Sequence, residues 1–168
     1  MGYVQDTHMS QYIPPTLFHC VTGTWTNAAG AVTGTIAKHV AAADQTAVVN
    51  IPILLPSNSN ALKGAYLKSI EVDFEILIAA CDAVDAVINK VTRGADEAVA
   101  VVSSVTVTQS LVAATTAATE DQHKLTVTLT TPEWIDNDVY YLLTLTLVCG
   151  GTVTVDILAA VANYTLRL

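Results

Sequence analysis

The acidic triplet Glu71, Asp73 and Glu75 is the first place in this sequence where chemistry could reside. Carboxylates two apart project from one face of a strand, where they could share acid and base roles or hold a hard cation. The plainer reading is a solvated face with cross-strand lysine partners, because adjacent acids on one strand are too far apart to act without help from neighbouring strands. A second cluster, Glu133 with Asp136, Asn137 and Asp138, follows Pro132 and Trp134 and reads as a loop. Calcium is the sharper reading there. The spacing lacks the glycine and distal glutamate of an EF-hand loop, so ordinary turn chemistry is expected.

The remaining reactive residues are scattered. His8, His19, His39 and His123 are isolated, and Cys20, Cys81 and Cys149 lie far apart among apolar neighbours. The cysteines read as reduced, buried small hydrophobes, against the alternative of a thiol nucleophile or metal ligand. Trp25 and Trp134 read as strand-end core plugs, with exposed ligand platforms of the sugar-binding kind as the alternative. Asn163-Tyr164-Thr165 matches a glycosylation acceptor but falls inside an apparent strand, so it is taken as a chance match. The sequence has no phosphate-cradling glycine loop, no zinc-spaced histidine pair, no close cysteine pair and no nucleophile elbow. The expectation is a protein that is not an enzyme, with no catalytic, cofactor-binding or metal-binding residues and no cofactor.

The elements that would carry these residues are strands. From Leu17 onward, segments rich in Thr, Val, Ile and Leu alternate with Gly, Pro, Asn and Asp clusters. Strands are predicted near Leu17–Trp25, Ala31–Val40, Thr46–Leu55, Ala65–Ile78, Ala83–Thr92, Ala98–Thr108, His123–Thr131, Val139–Cys149 and Thr152–Leu168. Within the fourth, Ile70, Val72, Phe74 and Ile76 alternate with the acids, so the apolar set faces a core. Leu125, Val127 and Leu129 alternate with threonines in the same way, as do Leu143, Leu145 and Leu147. Val84, Val87, Ile88 and Val91 sit at helical spacing behind Asp82, but their β-branched content favours a strand. Gly150-Gly151 reads as a hairpin turn joining two long strands. Gln109–Gln122 reads as a long loop. Residues 1–16, polar and carrying Pro14-Pro15, read as an extended N-terminal arm lying against a neighbouring subunit. The fold expected is all-β, a single-domain β-sandwich spanning residues 17–168, jelly-roll-like, with Greek-key and immunoglobulin-like topologies also open.

At 168 residues the chain fits one domain, and a single core can bury roughly 70% of the surface its unfolded form exposes. Only 13% of residues are charged, against about 25% in an ordinary globular domain, and 52% are hydrophobic. So little charge implies either a large shared core or surface covered by other subunits. The net charge of −8, with 15 acidic and 7 scattered basic residues, argues against direct nucleic-acid binding and against anionic membranes. No run of apolar residues approaches the ~20 of a spanning helix, and the start of the chain carries no secretory pattern. A transmembrane β-barrel is weighed on the alternation of Tyr164, Leu166 and Leu168 and set aside for want of a terminal aromatic residue.

The acidic, Ala/Thr/Val-rich, cysteine-poor character, the passages KGAYLKSIEVDFEI and HKLTVTLTTPEWIDNDVYYLLTLTL, and the ending NYTLRL resemble the small β-rich virion proteins of tailed bacteriophages. Capsid decoration and auxiliary head proteins are the nearest in style. The resemblance implies a structural protein that stabilises a shell by symmetric self-assembly as a homo-oligomer, with a trimer favoured. It implies the major capsid protein or another virion protein as partner, and location in a virion assembled in host cytoplasm. A self-assembling tube or filament subunit and a carbohydrate-binding β-sandwich module are the competing expectations.

Overall fold

A computed structural model describes residues 6–29, 33–57, 64–79, 81–94, 100–112 and 121–167 of the chain. Twelve strands run in order: β1 (Asp6–Ile13), β2 (His19–Thr22), β3 (Trp25–Ala29), β4 (Thr33–Ala41), β5 (Gln45–Ile53), β6 (Ala65–Leu77), β7 (Cys81–Thr92), β8 (Val101–Val105), β9 (Val107–Val112), β10 (Asp121–Trp134), β11 (Val139–Cys149) and β12 (Val153–Arg167). The only helical turn among the described residues is a 3-10 turn at Pro15–Leu17. The segment with helical spacing is strand β7, as its β-branched residues require.

Two antiparallel sheets pack face to face. Sheet A has the order β3-β4-β12-β6-β10-β9, with β1 also paired to β12, and sheet B has the order β2-β5-β11-β7-β8. The centre of each sheet is a long alternating strand. On β11, Tyr141, Leu143, Leu145, Leu147 and Cys149 are buried at every second position. On β12 the inward residues are smaller, with Ala160 and Ala162 following Val153, Val155 and Ile157. That division of volume suits two twisted layers that interdigitate at native density. Truncating Leu143 or Leu145 to alanine would cost about 2–5 kcal/mol.

Three features depart from the sequence reading. First, residues 6–13, expected as an arm lying against a neighbouring subunit, dock on the chain's own sheet: β1 pairs residue by residue with β12 from Asp6↔Arg167 to Ile13↔Ala160 and completes sheet A. It occupies the edge that β4 leaves vacant, because β4 covers only Val153–Ile157 of β12. A bulge at Leu158 separates the two partners. Second, Gly150-Gly151 is not a hairpin turn. β11 and β12 belong to different sheets, so the glycines make an arch from one layer to the other, with Gly151 at φ +105°. The long apolar runs on both strands meet across the core instead of side by side. Third, part of the expected loop at 109–122 is β9, which pairs with β10.

Both sides of the sandwich are stitched by a strand that changes sheet. On one side β2 pairs with β5 in sheet B, and two residues later β3 pairs with β4 in sheet A. The bend uses Gly23 at φ +93°, where a Cβ would come within 2.8 Å of Ala47 Cβ, so only glycine fits. On the other side β8 leaves β7 and continues past Thr106 as β9 in sheet A. Where β8 departs, the Gln109 side chain stands in for a strand: Ala86 N–H donates to its Oε1 and its Nε2 donates to Ala86 O. The edge of β7 is thereby satisfied at the crossing point.

Candidate functional site

The acidic triplet lies on the outer face of sheet A, and its neighbours are the lysine and polar partners of a solvated face. Lys124 on the adjacent β10 reaches Glu71 at 3.0 Å and Asp73 at 3.9 Å. Asn163 Nδ2 on β12 donates to the other Glu71 oxygen at 3.0 Å, and Ser10 Oγ on β1 donates to Asn163 Oδ1 at 2.7 Å. Lys38 approaches Asp156 at 3.9 Å on the same face. A groove of about 460 Å³ is lined by Tyr12, Asp73, Gln122, Lys124, Leu158 and Ala159. Its carboxylate and ammonium already neutralise one another.

The second acidic cluster is divided by the fold. Glu133 belongs to β10, not to the loop, and its Oε2 accepts from Lys90 Nζ at 2.8 Å and from Tyr141 Oη at 2.6 Å. Burial works against the charged form of Glu133, but the bonds from Lys90 and Tyr141 and the lysine's charge outweigh it and hold the carboxyl below its ordinary range. Burial and the same carboxylate push the Tyr141 hydroxyl up. Asp136 and Asp138 contribute backbone carbonyls, accepting from Val139 N–H and Arg93 N–H. Among the described residues no group of three His, Cys, Asp or Glu side chains is placed to hold a metal ion.

Two of the isolated histidines face inward. His39 is fully buried, its Nδ1 3.1 Å from Thr24 O, its ring 5.1 Å from that of Trp25, and its Nε2 without a partner. Burial lowers its pKa, offset in part by the Thr24 carbonyl. His123 is buried against Phe74 with ring centroids 5.4 Å apart, and neither of its nitrogens has a partner. The tryptophans are anchored separately: Trp25 Nε1 donates to Thr22 O at 2.6 Å, and Trp134 packs on Tyr66 at 4.6 Å. Both are half-buried, and they do not form a common platform. Asn163 is tied into the network around Glu71. Cys20 is exposed on β2, contrary to the expectation of burial, whereas Cys81 and Cys149 are buried.

The feature that sequence spacing did not isolate is a difference between the two outer faces. Cross-strand partners share a face, so register assigns each side chain. On sheet B the outward rows are Pro52-Leu142-Asn89, Asn50-Thr144-Val87, Val48-Thr146-Asp85 and Thr46-Val148-Ala83. Asp85 is the one charge among them, and Gln109 Nε2 donates to it at 2.7 Å. The centre is a hydrogen-bonded chain across three strands, from Asn89 Nδ2 to Thr144 Oγ1 at 2.9 Å and on to Asn50 Oδ1 at 2.8 Å. Beside it the row Tyr140-Val91-Val102 is apolar, with Tyr140 49% and Val102 63% exposed. Every ion pair on an outer face among the described residues lies on sheet A. Comparison with family models, curated proteins and solved structures finds no match. No helix among the described residues is long and apolar enough to cross a membrane.

Proposed function

We propose that this chain is a structural subunit that assembles with further copies of itself through the outer face of sheet B, as a virion shell protein of the decoration or auxiliary head kind. The observation that carries the reading is the charge asymmetry of the two faces. A molecule with net charge −8 repels its own copies over most of its surface. The sheet B face is where two copies can approach with few carboxylates opposed, and its Thr, Asn and Val side chains lose little on desolvation. The occupant of the face is therefore a second copy of this chain. The β1 strand, docked on its own sheet, is not needed as a bridge between subunits.

Strand order supports a jelly roll. Omitting the edge strands, β4-β12-β6-β10 faces β5-β11-β7-β8, the interleaving that two nested Greek keys produce in capsid and lectin domains. The separate anchoring of Trp25 and Trp134 gives the lectin-like reading no aromatic platform, so the shell reading is preferred. Work of this kind needs no catalytic residue: contact area between subunits resists pressure on the shell.

The test is sedimentation velocity across a range of concentrations, comparing the parent chain with Leu142→Lys on sheet B and Thr126→Lys on sheet A. A parent oligomer, a trimer in the favoured form, should become monomeric with Leu142→Lys and stay assembled with Thr126→Lys. A parent chain that is monomeric at all concentrations would overturn the proposal.

A further inference from the structure

Cys81 and Cys149 are separated by 68 positions, and the fold sets them opposite one another at the ends of β7 and β11. Their sulfurs are 3.4 Å apart, and the side chains are 4% and 1% exposed. Either sulfur can donate to the other; that hydrogen bond and burial push the pKa of the Cys81 thiol up, while the same bond lowers that of Cys149. The third cysteine, Cys20, is exposed on β2 and takes no part.

We propose that Cys81 and Cys149 form a disulfide-forming pair, a covalent staple that closes across sheet B when the protein meets an oxidant of the low-molecular-weight disulfide class. Three observations of geometry support closure. The two residues are register partners, so no strand has to slide. The register skips Asp82, a bulge that gives β7 freedom to adjust beside Cys81 as the sulfurs approach the bonded distance of about 2.05 Å. The chain beyond Cys149 passes through Gly150 and Gly151, and the latter has open space around the position of a Cβ.

Access comes from the position of the pair. Cys81 is the first residue of β7 and Cys149 the last of β11, so opening one terminal cross-strand pair presents both sulfurs to solvent. The chemistry balances in two exchanges. One cysteine thiolate attacks a sulfur of the small disulfide, forming a mixed disulfide and releasing one small thiolate. The second cysteine, deprotonated, then attacks the protein sulfur of that bond and expels the second small thiolate. The protein loses two protons and two electrons, and the small disulfide becomes two thiols.

The experiment uses the full chain with Cys20→Ser, so that the exposed thiol cannot bridge molecules. Incubation with oxidised glutathione is followed by alkylation under denaturing conditions and mass spectrometry. The expected product has lost two hydrogen atoms, resists alkylation at both positions, and regains two alkylatable thiols after dithiothreitol. Its melting temperature should rise by roughly 5–15 °C over the reduced form. Cys81→Ser and Cys149→Ala, each added to Cys20→Ser, should abolish that rise; either one retaining it would overturn the proposal. So would a product carrying glutathione on one or both cysteines, or two thiols that remain fully alkylatable after oxidant treatment.

Discussion

The outer faces of the two sheets are made by the same alternation of strands and have opposite surface chemistry. On sheet A, Lys124, Glu71, Asp73, Asn163 and Ser10 form a connected polar network across four strands. On sheet B, Asn89, Thr144 and Asn50 form a chain of neutral hydrogen bonds, flanked by Val48, Val87, Leu142, Tyr140 and Val102. The first face keeps its charges because water solvates what the ion pairs leave over. The second satisfies its neutral polar groups among themselves, and its one carboxylate, Asp85, accepts from Gln109, so covering it buries few charges. The sandwich thus has a face made for solvent and a face suited to contact.

The largest expected effect comes from placing a charge at the centre of the sheet B face. Val87→Lys should weaken self-association by at least about 30-fold, since an unpaired charge buried at an interface costs roughly 2–5 kcal/mol. A dilution series by light scattering measures this. Val161→Lys, on the outer face of sheet A, should leave the association constant within a factor of about two to three.

The next effect concerns the bonds that hold the two faces back to back. Glu133 on sheet A accepts from Lys90 and Tyr141 on sheet B. Glu133→Ala removes both bonds and leaves the two donors without that partner, costing about 1–3 kcal/mol in urea unfolding. Because the folded pKa of Glu133 is depressed, its contribution is complete above the ordinary carboxylate range. That contribution is lost as pH falls through the depressed value.

A smaller effect, at milder pH, comes from His39. Its folded pKa is lowered, so the unfolded chain binds the extra proton. Stability should be full above the unfolded value of about 6.5 and decline as pH falls below it toward the depressed value. His39→Gln should flatten the thermal midpoint between pH 7.5 and 5.5 relative to the parent chain. The smallest effect is expected at Lys124 on sheet A. Lys124→Met removes exposed ion pairs with Glu71 and Asp73 and should leave the midpoint unchanged within error.

Strands whose two faces differ sharply were legible from residues alone. The acids of β6 against Ile70, Val72, Phe74 and Ile76 fixed its faces, and the threonines of β10 and β11 did the same. A cross-strand lysine beside Glu71 and Asp73 was legible too, and it is the single residue Lys124, because acids on a solvated face favour an opposite charge on the next strand. What was not legible depends on which strands are neighbours. Gly150-Gly151 suits a hairpin or an arch equally, and only the packing of two layers decides between them. Cys81 meets Cys149 because β7 pairs with β11, a relation that local pattern does not encode. Residues 6–13 lack a buried period because β1 lies at an edge, with only Ile13 buried, so its alternation is nearly silent. The sparsely charged face of sheet B is built largely from valines, threonines and asparagines that each look ordinary and acquire meaning only in register.

Hydroxyl-radical footprinting of the parent chain, concentrated and diluted, tests the central claim most directly. On concentration, Tyr140, Val102 and Leu142 should become protected while Tyr12 on the sheet A face keeps its reactivity. Equal reactivity of Tyr140 and Leu142 at every concentration, or protection centred on Tyr12, would contradict the assignment of sheet B as the face of assembly.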